Sequence, residues 1–185
     1  MTQHAPLFIV LLPVSAALLC MLFSRIQKNL GSWIVIASIA GAFLSAVSSL
    51  QQVIADGGKA LHYWMGNWQP PLGIEFVIDP ISGALAVLIT FIALLGSLYS
   101  LPFVKEEGWL HIGGYYTLYG LMTVGMCGMV ITGDVFNLYV FLEVMSLSGY
   151  GLIAIGGKKS MLAAFRYLLI GTIGASLYLL GVGYM

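Results

Sequence analysis

Six apolar runs, each about as long as a bilayer's hydrocarbon core is thick, leave this chain few folds to adopt. They fall at about 6–24, 31–54, 80–101, 111–132, 135–156 and 161–184. Some twenty apolar residues in a helix match a ~30 Å core. Inside that core backbone groups must pair within the segment, which a helix does and an open strand does not. The composition agrees, with 60% of residues hydrophobic and 8% charged, against about 25% charged in soluble domains. The expected fold is all-α and integral to the membrane: one transmembrane domain over residues 1–185 with an outer loop at 55–79.

Orientation follows from the basic residues. The first run, Pro6 to Ser24, has Arg25 and Lys28 after it rather than before it, the pattern of a retained helix and not of a cleaved signal. With the N-terminus outside, Arg25, Lys28, Lys105, Lys158, Lys159 and Arg166 fall on the inner side and only Lys59 outside, as the positive-inside bias requires. Both termini are then outside, and the chain is a multi-pass protein of the cell membrane, the inner or plasma membrane of a prokaryote. Zero net charge gives no reason to expect a nucleic acid partner.

Local signals punctuate these runs. Asp79-Pro80 opens the third helix as N-cap and first-turn proline, and Pro102 closes it. Gly133-Asp134 is a tight junction in which Asp134 serves as N-cap or as an acid at a proton entrance. The loop, with His62, Tyr63, Trp64, Trp68 and the Pro70-Pro71 pair, suits a small hairpin at headgroup level, where Trp and Tyr concentrate. His62 is there either a relay or simply an interfacial side chain. Ser38, Ala42, Ser45, Ser49 and Gln52 in the second helix, Gly125 and Gly128 in the fourth, and Gly171 with Ala175 in the sixth predict close helix contacts. Met122, Met126 and Met129 fill gaps in such packing. Cys20 and Cys127 lie far apart in different runs and are expected to pack rather than form a disulfide or hold a metal. There is no CxxC, no His/Glu ligand cluster, no P-loop and no dinucleotide fingerprint, so neither a cofactor nor a catalytic site is expected in this chain.

Glu143 breaks the apolar pattern. It lies within the run 135–155, where a buried carboxylate costs roughly 2.5–3.5 kcal/mol on insertion scales. Helical spacing puts Tyr139, Glu143, Ser146 and Tyr150 on one stripe, whose hydroxyls are able to hold water beside the acid. Desolvation raises a carboxylate's proton affinity and a nearby cation lowers it, so such an acid is suited to taking and releasing H⁺. Arg166 is the candidate charge partner within the chain, although it lies nearer the inner surface, where it also has the option of snorkelling to headgroups. Lys158 and Lys159 are placed in the short inner loop as topology determinants.

These residues also carry a family resemblance. Gly133-Asp134-Val135-Phe136-Asn137-Leu138-Tyr139-Val140-Phe141-Leu142-Glu143, followed by Ser146-Leu147-Ser148-Gly149-Tyr150, resembles the fifth helix of antiporter-like membrane subunits. That family includes the D-type subunit of Mrp cation/proton antiporters and its relatives in respiratory complex I and membrane-bound hydrogenases. Gly66-Asn67-Trp68-Gln69-Pro70-Pro71-Leu72-Gly73-Ile74-Glu75 and Asp79-Pro80-Ile81-Ser82 are similar to the loop before their third helix, and Arg166-Tyr167 with Gly171 suits their sixth. The resemblance covers nearly the whole chain and implies that Glu143 matches the helix-five glutamate of a proton half-channel, which in the family faces a lysine on helix seven. Family members have about fourteen helices in two inverted repeats. This chain ends at Met185, before that lysine and the second repeat. It is therefore expected to be a fragment or half of a split protein, matching the N-terminal six-helix portion and not conducting ions alone.

Two readings follow. In the first, the chain is a subunit of a proton- or cation-translocating complex, either a cation/proton antiporter or a redox-driven pump of the NADH:quinone oxidoreductase or hydrogenase type. Other membrane subunits, one of them bearing the missing lysine helix, would be its partners, with a peripheral redox arm in the second type of complex. In the alternative it is a structural membrane subunit that supports assembly without conducting ions.

Overall fold

A computed structural model describes residues 4–27, 30–68, 73–104 and 109–184. The chain forms six long helices: α1 Ala5–Ile26, α2 Leu30–Ala55, α3 Pro80–Val104, α4 Trp109–Ile131, α5 Val135–Ile155 and α6 Lys158–Gly183. Each is long and apolar enough to cross a membrane. Between α2 and α3 lies a hairpin of two strands, β1 Leu61–Trp64 and β2 Glu75–Ile78, paired antiparallel with Leu61 opposite Ile78 and Trp64 opposite Glu75. Lys28, Lys105 and the Gln69–Leu72 part of the loop motif lie outside the described residues.

Helices α1 and α4 form the centre; α1 packs on α2 and α4, α2 on α3, and α4 on α5. Helix α6 rests on α5 at the edge. Because lipid is as apolar as a leucine side chain, such contacts depend on close packing and interhelical hydrogen bonds. Both are present. A Cβ on Gly125 would lie 2.6 Å from Met145, and one on Gly128 would enter the Phe141 ring, so these glycines let α5 approach α4. Thr117 donates to the Ala17 carbonyl at 3.1 Å and Tyr119 to the Ala93 carbonyl at 2.9 Å, tying α4 to α1 and α3. Cys20 and Cys127 are free and buried among these helices. In α2 the buried face runs through Val35, Ile39, Ala42, Ala46, Ser49 and Val53, so of the predicted small residues Ala42 and Ser49 lie at its centre and Ser38 and Ser45 on its flank.

Two boundaries differ from expectation, each for a physical reason. Helix α3 continues two residues past Pro102, to Val104. A proline in the last turn removes only one backbone donor, so its cost there is small next to that in a helix interior. Helix α6 begins at Lys158, so Lys158 and Lys159 form its first turn. The turn before it closes on Gly157 at φ 102°, a conformation an L side chain rarely adopts, and this lets α6 start immediately. The expected hairpin forms, and it packs on the helix bundle. Phe76 and Ile78 on its inner face belong to the same core as Ile9, Ala46, Val124 and Ile131.

Candidate functional site

The start of α5 is held by local hydrogen bonds and by the hairpin. Asp134 caps the helix, its Oδ1 accepting from the Asn137 backbone N–H at 2.6 Å. The Asn137 side chain, itself buried, donates to Thr132 Oγ1 at 2.9 Å. From the hairpin, the Glu75 carbonyl accepts from Gly133 N at 2.9 Å and Phe76 bridges to Thr132. The Phe76 ring lies 6.3 Å from that of Phe141 on α5. The α3 start is capped as the residues predict: Ser82 N donates to Asp79 Oδ1 at 2.6 Å, and Asp79 N to Ser82 Oγ at 2.8 Å. Both ends of β2 therefore lead into fixed helix termini.

On the hairpin's outer face, His62 Nδ1 and Glu75 Oε1 are 2.7 Å apart, and Trp64 Nε1 donates to the same oxygen at 2.9 Å. The His62 hydrogen bond, with Trp64 adding to it, holds the Glu75 carboxyl below the usual carboxylate range. His62 is thereby tied to Glu75 by a side-chain hydrogen bond.

Glu143 lies ~12 Å along α5 from Val135 and ~18 Å from the α5–α6 turn, at 1.5 Å per residue. Among the described residues Asp56, Glu75, Asp79 and Asp134 sit in the loop or at helix ends, and Glu143 is the acid within a membrane-length helix. Phe141 and Met145 turn the opposite face of α5 onto α4, so Glu143, half-buried, points away from α4. Its neighbour one turn back on the same stripe is Tyr139.

Two tyrosine pairs join α5 to α6 on either side of the acid. Tyr139 stacks on Tyr178 with ring centres 6.3 Å apart and planes within 6°, and the Tyr178 hydroxyl donates to the Val135 carbonyl at 3.2 Å. Tyr150 meets Tyr167 edge to face at 4.7 Å, and its hydroxyl sits against Gly171, where a Cβ would collide with it. The residue numbers of the two pairs have the same sum, the mark of one antiparallel register, and that register sets Glu143 level with Gly174. A Cβ at Gly174 would meet nothing within 4 Å. The acid thus borders a seam whose α6 side is made of Gly171, Gly174 and Ala175.

Of the stripe, Tyr139 and Tyr150 turn to α6 as partners of tyrosines there, and Ser146 is half-buried beside them. Arg166 is exposed, with no carboxylate within salt-bridge distance among the described residues. It lies ~12 Å from the α5–α6 turn against ~18 Å for Glu143. Asp134, half-buried, has its carboxylate engaged as the cap. Tyr178 was not singled out in the sequence, and Tyr167 entered only beside Arg166 in the resemblance to the family's sixth helix. The signal was present in the matching sums of tyrosine positions across a short helical turn, but it is readable only once that turn's geometry is known.

Known proteins share this fold. No protein-family model matches the chain. It is 42% identical over 185 residues to NADH-quinone oxidoreductase subunit N of Desulforudis audaxviator (strain MP104C), covering 100% of this chain and 37% of that protein. It is 30% identical over 186 residues to the D-type subunit of a probable K(+)/H(+) antiporter of Rhizobium meliloti (strain 1021), covering 97% and 33%. In structure it matches a chain of the membrane-bound sulfane sulfur reductase, an archaeal respiratory membrane complex, with TM-score 0.88 and 30% identity over 97% of this chain and 36% of that one. It also matches a chain of the Mrp complex from Dietzia sp. DQ12-45-1b, with TM-score 0.80 and 25% identity over 98% and 34%. The chain spans about a third of the length of these relatives. With six membrane-length helices in the same arrangement, it belongs to the antiporter-like membrane subunits.

Proposed function

We propose that this chain serves a proton- or cation-translocating complex of the cell membrane, a cation/proton antiporter or a redox-driven ion pump, and that Glu143 is its proton-carrying group. The observation that carries this reading is the placement of Glu143: an acid inside a membrane-length helix, turned from α4 toward a seam of small residues, with no cation within salt-bridge distance among the described residues. In general, hydrocarbon surroundings favour the neutral form of a carboxylic acid, and water or an approaching cation favours the charged one. Alternation between the two transfers a proton. Tyr139 and Tyr150 supply hydroxyls along the path, with Ser146 between them. Asp134, at the α5 start, marks the outer entrance. The relatives' names, one an NADH-quinone oxidoreductase component and another an Na(+)/H(+) antiporter component, are consistent with either kind of complex.

The cation that discharges Glu143 comes from a partner helix bearing a lysine, with Arg166 as the candidate inside the chain. Other membrane subunits complete the path, and a peripheral redox arm drives it where the complex is a pump. The test is Glu143→Gln in the assembled complex, reconstituted in vesicles with a pH-sensitive dye inside. Transport should fall to background while the complex purifies intact. Wild-type transport by that variant would remove Glu143 from the path.

A further inference from the structure

We propose that the groove between the inner ends of α5 and α6 binds an anionic phospholipid of the inner leaflet, its acyl chain lying in the groove and its phosphate on Lys158 and Lys159.

The groove has a volume of about 640 Å³ and is lined by Leu147, Gly151 and Ala154 of α5 and by Leu162, Ala164 and Phe165 of α6, among others. Missing side chains make it. Gly151 backs onto Leu118 of α4 and Ala164 is buried, whereas Leu147, Leu162 and Phe165 stand at the rims, each more than half exposed. From Leu147 to Ala154 the lining runs ~10 Å along α5, at 1.5 Å per residue. Walls of leucine, phenylalanine and alanine offer no polar handle to a water-soluble ligand, and a hydrocarbon chain meets them by dispersion contacts summed over many atoms. Arg166 and Glu143 are not among the lining residues, so the site does not depend on Glu143 carrying a proton.

Charge is confined to one end of this slot. Lys158 stands three and four residues before Met161 and Leu162, on the face of α6 that lines the groove, with Lys159 next to it. Both lysines are exposed, and neither has a carboxylate within salt-bridge distance among the described residues. The first turn of α6 contains no acid. Two uncompensated cations at headgroup level, at the mouth of a hydrocarbon-lined slot, fit a lipid whose head is negative. A zwitterionic head brings a cation of its own, which the lysines repel. Basic pockets between membrane helices on the cytoplasmic side hold anionic heads by this attraction.

The probe is phosphatidylglycerol with a photoreactive diazirine in its acyl chain, added in mixed micelles to the assembled, delipidated complex, with crosslinked peptides read by mass spectrometry. Labels should fall on groove residues such as Leu147 and Phe165. Unlabelled phosphatidylglycerol should displace the probe about 25-fold better than phosphatidylcholine, about 5-fold for each lysine. Millimolar inorganic phosphate, which has no chain for the groove, should not displace it. Replacing both lysines by glutamine should abolish the preference between the two lipids, and replacing both by arginine should keep it. The glutamine pair also removes inner-side charge that helps set topology. Ala154→Phe therefore carries the test if that variant fails to insert: it fills the groove, leaves both lysines, and should remove the groove labels. Equal displacement by phosphatidylcholine, displacement by phosphate, or groove labels that survive Ala154→Phe would each overturn the assignment. So would the absence of groove labels in the wild-type complex, the result expected if a helix of another subunit covers this face.

Discussion

Phe76→Ala is the sharpest test of how the hairpin supports the α5 start. Phe76 is 2% exposed, its ring 6.3 Å from Phe141, and it lies in the core with Ile9, Val124 and Ile131. Truncating a buried phenylalanine costs about 3–5 kcal/mol, a lost transfer contribution plus the cavity left behind. The surroundings have little freedom to collapse, because β2 is pinned by the Glu75–Gly133 hydrogen bond on one side and the Asp79–Ser82 cap on the other. For a chain of this size 1 kcal/mol corresponds to about 2–4 °C, so thermal unfolding in detergent, followed by tryptophan fluorescence, should drop by roughly 6–20 °C. Phe141→Ala should fall comparably, and the double variant should lose less than the two together, by about 0.5–1.5 kcal/mol for the aromatic pair. The control is Phe103→Ala on α3, whose residue is 65% exposed. If Phe76→Ala costs no more than that control, the hairpin only lies against the bundle and does not brace α5.

Other outcomes follow from single contacts. Asp134→Ala removes the α5 cap and should cost about 0.5–2 kcal/mol in the same unfolding assay, whereas Asp134→Asn should cost a few tenths. Gly171→Ala drives a methyl into the Tyr150 hydroxyl and should destabilise by about 1–3 kcal/mol, while Gly174→Ala, with open space around it, should leave the melting temperature unchanged. For the hairpin, the Glu75 carboxyl titrates lower folded than unfolded, so its contribution is full above the unfolded value and is lost as pH falls through the folded one. Wild type should therefore lose stability from about pH 4.5 downward, and Glu75→Gln should not show that loss in a melting series against pH.

The membrane character, the number of helices and the outlying acid were legible in the residues alone, because hydrocarbon imposes length and hydrogen-bond closure that few sequences satisfy by chance. The caps at Asp79 and Asp134 were legible for a similar reason: they are local, set by residues three apart. What only the tertiary structure decided is long-range. The spacing placed Tyr139 beside Glu143, but the stack on Tyr178 and the open level at Gly174 come from the register of α6 against α5. The hairpin's inner face turned out to be core because Phe76 finds Phe141, sixty-five positions away in the chain. Pro102 and Lys158 were misplaced by rules that describe the isolated helix, whereas the terminal turns were drawn on by glycine geometry and by the small cost of a late proline. Periodicity in a sequence reports which face a residue takes. Which other face it meets depends on packing between segments, and that information exists only once the chain has folded back on itself.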